Sequence, residues 1–105
     1  MPEVKACSVD DVKPDSAIRV DIRGHRLAVV RIGDDAWYVL GDRCSHAEAS
    51  LAEGEVWPDE LEIECPKHGS GFSLQTGEAL TLPATQPVPV YEVRVQGDDV
   101  LVRVP

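Results

Sequence analysis

Two short pairs of cysteine and histidine constrain this 105-residue chain more than any other feature. Cys44 and His46 form a Cys-x-His pair, and after 18 intervening residues Cys65 and His68 form a Cys-x-x-His pair. Each pair places a thiolate, which is a soft anionic ligand, close to an imidazole, which is neutral and borderline. Two such pairs on adjacent loops can converge on one metal centre, so the fold must bring the two segments together.

The nature of the metal is the next question. Two cysteines and two histidines are a common structural zinc set, which makes zinc the first alternative. Zinc sites usually pair Cys with Cys and His with His, whereas each pair in this chain supplies one of each. The mixed arrangement suits a two-iron cluster, in which two thiolates bind one iron and two imidazoles bind the other. The spacing therefore favours an iron–sulfur centre over zinc.

Sequence periodicity outside the two pairs indicates β-strands. Alternating apolar and polar residues predict strands at Ala17–Ile22 and Val88–Val95. Further strands are predicted at His25–Ile32, Ala36–Leu40, Leu61–Glu64 and Val100–Val104. Eight glycines and eight prolines in so short a chain favour turns over long helices. The pattern predicts an all-β fold, an antiparallel sandwich or barrel, in a single domain.

The chain divides into a scaffold and an inserted segment. Residues 1–40 and 84–105 contain most of the strand pattern. Residues 41–83 contain both Cys/His pairs and have a weak β signal apart from Leu61–Glu64. Because rigid scaffolds commonly present functional groups on loops, we expect residues 41–83 to be a loop-built insert that binds the metal centre.

Charge and composition exclude several classes of function. The formal charge is -9, whereas surfaces that bind nucleic acid or anionic membranes are basic. No stretch approaches the roughly 20 apolar residues needed to span a bilayer, and the first residues lack the pattern of a signal peptide. Three cysteines, an odd number, fit reduced thiols better than a disulfide framework. We therefore expect a cytoplasmic protein without a nucleic-acid or membrane partner.

At its two ligand pairs the sequence resembles the Rieske family of 2Fe-2S proteins. The resemblance rests on Cys44-x-His46, on Cys65-Pro66-x-His68-Gly69-x-Gly71-Phe72, on Leu74–Ala79, and on Pro83 followed by Val88–Tyr91. It extends over essentially the whole chain and implies a Rieske-type antiparallel β-sandwich or barrel with one Rieske-type 2Fe-2S cluster. It also implies that Cys44 and Cys65 bind the buried iron, while His46 and His68 bind the outer iron with their imidazole edges toward solvent.

The chain departs from the high-potential Rieske proteins of respiratory and photosynthetic complexes. Those proteins have an additional cysteine in each cluster loop, joined as a disulfide, where this chain has Ala49 and Lys67. Phe72 occupies the position of a tyrosine whose hydroxyl reaches a cysteine sulfur in that branch. Hydrogen bonds to sulfur raise the reduction potential. The resemblance therefore implies a potential toward the lower end of the Rieske range of about -150 to +300 mV.

The strongest resemblance within the family is to ferredoxin components of multicomponent aromatic-ring dioxygenases. It implies an electron carrier, not an enzyme, that passes single electrons from a reductase to a terminal oxygenase. An oxygenase also needs a mononuclear iron site, usually two histidines and a carboxylate, and only His25 would remain for it. Two alternatives share the fold and the cluster: a Rieske protein associated with iron–sulfur cluster assembly, and the small subunit of a nitrite reductase.

Seven acidic residues without any Lys or Arg lie between the two ligand pairs: Glu48, Glu53, Glu55, Asp59, Glu60, Glu62 and Glu64. A solvated acidic loop explains them as well as a docking rim for a basic redox partner does. In the second case charge would mainly raise the association rate. We expect a monomer whose reductase, oxygenase or other redox partner docks near His46 and His68.

Overall fold

The computed structural model describes residues 3–45, 48–67, 69–82 and 84–105. Within these ranges the chain forms ten strands: β1 (Glu3–Ser8), β2 (Ser16–Ile22), β3 (His25–Ile32), β4 (Ala36–Gly41), β5 (Val56–Trp57), β6 (Glu62–Glu64), β7 (Gly71–Ser73), β8 (Val90–Tyr91), β9 (Val93–Gln96) and β10 (Asp99–Arg103). Two 3₁₀ turns cover Val9–Asp11 and Leu51–Glu53. The named strands pair antiparallel, which confirms the predicted all-β antiparallel fold. No helix in the described part of the chain is long and apolar enough to cross a membrane.

Two sheets form the scaffold. One has the strand order β2-β3-β4-β8, and the other has the order β1-β10-β9. A two-residue turn, Arg23-Gly24, joins β2 to β3 and pairs Ile22 with His25. Such short turns fix the register of a hairpin, so the alternating pattern of β2 and β3 determines which side chains face each side of the sheet.

The predicted strand Val88–Val95 is wrong as a single element, because the chain changes sheets at Glu92. Val90 and Tyr91 pair with β4 in one sheet, whereas Val93–Gln96 pair with β10 in the other. Pro87 and Pro89 have no backbone N–H to donate, which shortens the paired region at the start of this segment. A regular alternation of residues does not reveal that the pairing partner changes partway along it.

Strand β3 contributes side chains to two hydrophobic cores, one on each of its faces. Successive side chains of a strand point to opposite faces, and Leu27–Val30 are all fully buried. Leu27 and Val29 belong to a core with the β1-β10-β9 side of the scaffold, which also contains Val12, Val39, Val100, Val102 and Val104. Ala28 and Val30 belong to a second core with residues of the inserted segment, among them Leu51, Ile63, Phe72 and Leu74.

The inserted segment contains a sheet of its own, with the strand order β5-β6-β7. Ile63 pairs with Phe72 across β6 and β7, and both side chains are fully buried. Of these three strands the sequence predicts only the one at Leu61–Glu64. The other two contain only two or three residues, which is too short for an alternating pattern to be recognised.

Replacing Leu27 with alanine should lower the free energy of unfolding by about 2–5 kcal/mol, because it leaves a cavity between the scaffold sheets. Chemical denaturation monitored by circular dichroism measures the change. Val95, which is exposed on β9, provides the matched control. Val95→Ala should change stability by no more than about 0.5 kcal/mol. Equal effects of the two substitutions would contradict the packing described for β3.

Candidate metal centre

Cys44, the first predicted cysteine ligand, lies just after β4 at the base of a loop. The Cys44 backbone N–H donates to the Ala49 carbonyl oxygen at 3.0 Å, and Arg43 pairs with Ser50 in an isolated antiparallel bridge. These contacts close the loop between residues 43 and 50. Cys44 lies inside the closed base of the loop and is only 2% exposed.

A fully buried carboxylate, that of Asp42, fixes the base of this loop. Its Oδ2 accepts from Arg26 Nε at 3.0 Å, and its Oδ1 accepts from the Ala52 backbone N–H at 2.8 Å. The Ser50 hydroxyl lies 2.9 Å and 2.7 Å from the two carboxylate oxygens. The Asp42 backbone N–H donates to the Arg26 carbonyl oxygen as well. Buried polar groups need such partners, and here the partners tie the loop to β3.

Cys65, the second predicted cysteine ligand, lies in the loop between β6 and β7. The Cys65 backbone N–H donates to the Ser70 carbonyl oxygen at 2.7 Å, and the Gly69 N–H donates to the Cys65 carbonyl oxygen at 3.0 Å. Gly69 has a φ of +74°, a left-handed conformation that glycine adopts without steric cost. The loop therefore closes immediately around Cys65, which is 1% exposed.

The two loops share one apolar core. Cys44 and Cys65 both belong to the cluster formed by the inserted segment and the outer face of β3. The backbone segments that flank the two loops also lie in close contact, at Gly54 and Glu64. A Cβ added to Gly54 would lie only 1.6 Å from the Glu64 carbonyl oxygen. Only glycine permits that approach, which places the segment following the first loop directly against the entry to the second.

A third segment, residues 79–86, connects the two loops through hydroxyl groups. The Ser45 hydroxyl donates to the Gln86 carbonyl oxygen at 2.6 Å, and the Ala84 backbone N–H donates to the Ser70 Oγ at 3.2 Å. The Thr81 Oγ1 accepts from the Gly71 N–H at 2.7 Å. Sequence reasoning assigned no such role to these hydroxyl groups, although Ser45 and Ser70 each lie within two residues of a predicted ligand.

The structure places Cys44 and Cys65 in the same hydrophobic core and leaves Cys7 in the other core. Burial is the main reason that the pKa of the Cys7 thiol rises to about 11, and the nearby Asp11 carboxylate adds to the effect. Cys7 is therefore a neutral thiol at pH 7. His46 and His68 lie outside the described residues. In the described ranges no three His, Cys, Asp or Glu side chains form a ligand set, and two of the four predicted ligands fall within those ranges.

The chemistry of the two described donors fits a soft metal centre. Two sulfur atoms in one apolar cluster, each on a loop closed by backbone hydrogen bonds, match the preference of iron–sulfur centres for thiolate. An antiparallel β scaffold that holds two buried cysteines on loops of one core defines a class, namely a small β protein whose described donors fit a sulfur-ligated metal centre.

Comparison with known proteins identifies the family within that class. The model of the Rieske [2Fe-2S] domain matches residues 3–92. The chain is 41% identical over 105 residues to the 3-phenylpropionate/cinnamic acid dioxygenase ferredoxin subunit of Shigella boydii serotype 4, covering 100% of this chain and 96% of that protein. The chain therefore belongs to the Rieske [2Fe-2S] domain family, and its cofactor is a Rieske-type 2Fe-2S cluster, as the sequence predicts.

Solved structures of dioxygenase ferredoxins share the fold over nearly the whole chain. The ferredoxin of carbazole 1,9a-dioxygenase from Nocardioides aromaticivorans IC177 superposes with a TM-score of 0.91, with 39% identity over 97% of each chain. A second similar structure is a complex of reduced oxygenase and oxidized ferredoxin in carbazole 1,9a-dioxygenase. It has a TM-score of 0.85 and 40% identity, covering 95% of this chain and 91% of that one.

Replacing Asp42 with alanine should lower the free energy of unfolding by about 3 kcal/mol. Breaking a buried ion pair costs about 3–5 kcal/mol, and the lower value applies because Arg26 itself is 30% exposed. Asp21→Ala is the matched control, since it breaks the exposed Arg19–Asp21 pair and should cost no more than about 1 kcal/mol. Denaturant titration measures both, and a stable Asp42→Ala variant would contradict the role assigned to the carboxylate.

Proposed function

We propose that this chain is the ferredoxin component of a multicomponent aromatic-ring dioxygenase. In this role it accepts single electrons from a reductase and passes them to a terminal oxygenase. The supporting observation is similarity along the full chain, at 41% identity, to a protein named as a dioxygenase ferredoxin subunit. That relative is matched over 96% of its length.

We assign four side chains to the cluster: Cys44 and Cys65 to the inner iron, and His46 and His68 to the outer iron. The burial of both cysteines in one apolar core supports the inner positions. The bound cluster supplies a site that takes up and releases one electron. The chain holds that site through its two loops, and the surrounding apolar side chains keep water from the sulfur ligands.

The protein acts as a carrier without a catalytic site of its own. His25, the one histidine not assigned to the cluster, packs against Tyr91 with their ring centroids 6.0 Å apart. This contact fits a structural role for His25 in the β2-β3-β4-β8 sheet. The oxygen chemistry in this proposal belongs to the terminal oxygenase.

The remaining parts of the proposal concern organisation and location. We assign residues 1–40 and 84–105 to the scaffold and residues 41–83 to the cluster-binding insert of one domain. The protein works as a monomer in the cytoplasm, where reduced thiols persist and cysteine is available as a metal ligand. Sedimentation of the purified protein at micromolar concentration tests the monomeric state.

Substituting the two assigned cysteines tests the ligand set. Cys44→Ser and Cys65→Ser should each abolish the Rieske EPR signal of the dithionite-reduced protein and most of its iron content, since serine does not replace a soft thiolate. Cys7→Ser is the matched control, because Cys7 lies in the scaffold core, and it should keep both. A colourless wild-type protein containing stoichiometric zinc would contradict the assignment.

Partner docking near the cluster loops is supported by the surface around them. Leu80 and Leu82 are 47% and 78% exposed on the segment that connects the two loops. Six carboxylates of the inserted segment are exposed as well: Glu48, Glu53, Glu55, Asp59, Glu60 and Glu78. Small electron-transfer interfaces combine such apolar contacts with charges that speed the encounter.

Docking is tested by stopped-flow electron transfer to the oxygenase component of a 3-phenylpropionate-type dioxygenase. Leu82→Ala should weaken the interaction about fivefold, the effect of losing about 1 kcal/mol at an interface. Raising the salt concentration should slow transfer without altering the visible spectrum. Val95→Ala, an exposed change on the scaffold, is the control and should leave transfer unchanged. Transfer that is insensitive to both changes would contradict docking at this surface, whereas absence of transfer to the oxygenase would favour a role in cluster assembly or nitrite reduction.

A further inference from the structure

A tryptophan and a glutamate form a polar contact beside the second cluster loop. Trp57 Nε1–H on β5 donates to Glu64 Oε2 on β6 at 2.8 Å. Trp57 pairs with Glu62 in the strand register, so Glu64 is its diagonal neighbour on the same face of the sheet. Glu64 immediately precedes Cys65 and is half-buried, while the Trp57 side chain remains 42% exposed.

The other oxygen of the same carboxylate lies over the far end of the loop. A Cβ on Gly69 would lie 3.0 Å from Glu64 Oε1. The Glu64 side chain therefore connects the residue that precedes Cys65 with Gly69, which follows Cys65 by four residues. The carboxylate lies beside Gly69 of the loop that begins at Cys65, and the indole of Trp57 holds it there.

A negative charge held at this place affects the energy of reduction. Reduction adds one electron to the cluster, and a nearby carboxylate repels it. The hydrogen bond keeps the carboxylate from turning into solvent, and partial burial reduces the screening of its charge by salt. Glu60, by contrast, lies exposed in the turn between β5 and β6.

We propose that Glu64, held in place by Trp57, is a redox-tuning residue whose fixed negative charge lowers the reduction potential of the cluster. The proposal rests on the assignment of Cys65 as a cluster ligand. It assigns Trp57 a positioning role, because the indole affects the cluster only through the carboxylate. A contact that merely fastened β5 to β6 would change stability and leave the potential unaltered.

The test is a redox titration of the cluster-loaded protein at pH 7. Glu64→Gln keeps the size of the side chain and an oxygen for the indole N–H, but removes the charge. It should shift the reduction equilibrium about threefold to tenfold toward the reduced state, where tenfold corresponds to about 59 mV for a one-electron couple. Glu60→Gln removes the same charge from an exposed site and should shift the equilibrium less than about twofold.

A second variant and a salt series separate tuning from mere structural support. Trp57→Phe retains the carboxylate but frees it, so it should raise the potential by part of the Glu64→Gln shift. That shift should persist at high salt, whereas any shift in Glu60→Gln should vanish.

Equal potentials in Glu64→Gln and Glu60→Gln overturn the proposal, and so does a lower potential in Glu64→Gln. If Glu64→Gln fails to assemble its cluster, an unchanged potential in Trp57→Phe overturns the proposal instead. Failure of the proposed function looks different from any of these results. In that case the wild-type protein itself lacks the Rieske EPR signal, or carries it without donating electrons to an oxygenase.

Discussion

The packing of β3 on both of its faces is the constraint on which the rest of the structure depends. Leu27 and Val29 close the scaffold core, and Ala28 and Val30 close the core that contains Cys44 and Cys65. Because the two cores share one strand, the inserted segment is not a separate module attached by flexible linkers. The inserted segment packs directly on the β scaffold. A substitution on either face of β3 therefore affects the packing on which the loops depend.

The Asp42 carboxylate extends this dependence from apolar packing to a polar network. It accepts from Arg26 on β3, from the Ser50 hydroxyl and from the Ala52 backbone N–H. All members of the network belong to the chain itself, so the fold contributes to ordering the loop base in addition to any contribution from the cluster. Metal binding and folding are coupled in small metalloproteins. Where the fold itself orders a metal-binding loop, less of the free energy of metal binding is needed to order it.

The sequence predicts the parts of this molecule that depend on local pattern. The β2–β3 hairpin follows from alternation and a two-residue turn, and the prediction that Cys44 and Cys65 are soft ligands rests on their spacing. The Asp42 network is not predictable in this way, because its partner Arg26 lies 16 residues away and a single aspartate before a loop resembles an ordinary turn residue. The division of the predicted strand at Glu92 also depends on residues distant in sequence, because Val90 and Tyr91 pair with β4 whereas Val93–Gln96 pair with β10.

The acidic character of the inserted segment combines two physical effects that respond to different variables. Exposed carboxylates such as Glu53 and Glu60 act at long range, so they influence how fast a charged partner approaches and lose their effect in salt. Glu64 is half-buried and hydrogen-bonded, so it acts at short range on the cluster and is screened much less. Substitutions at exposed positions can therefore change the choice of partner without changing the driving force for electron transfer, and substitutions at Glu64 can do the reverse. The same stretch of sequence thus allows association rate and reduction potential to be set independently.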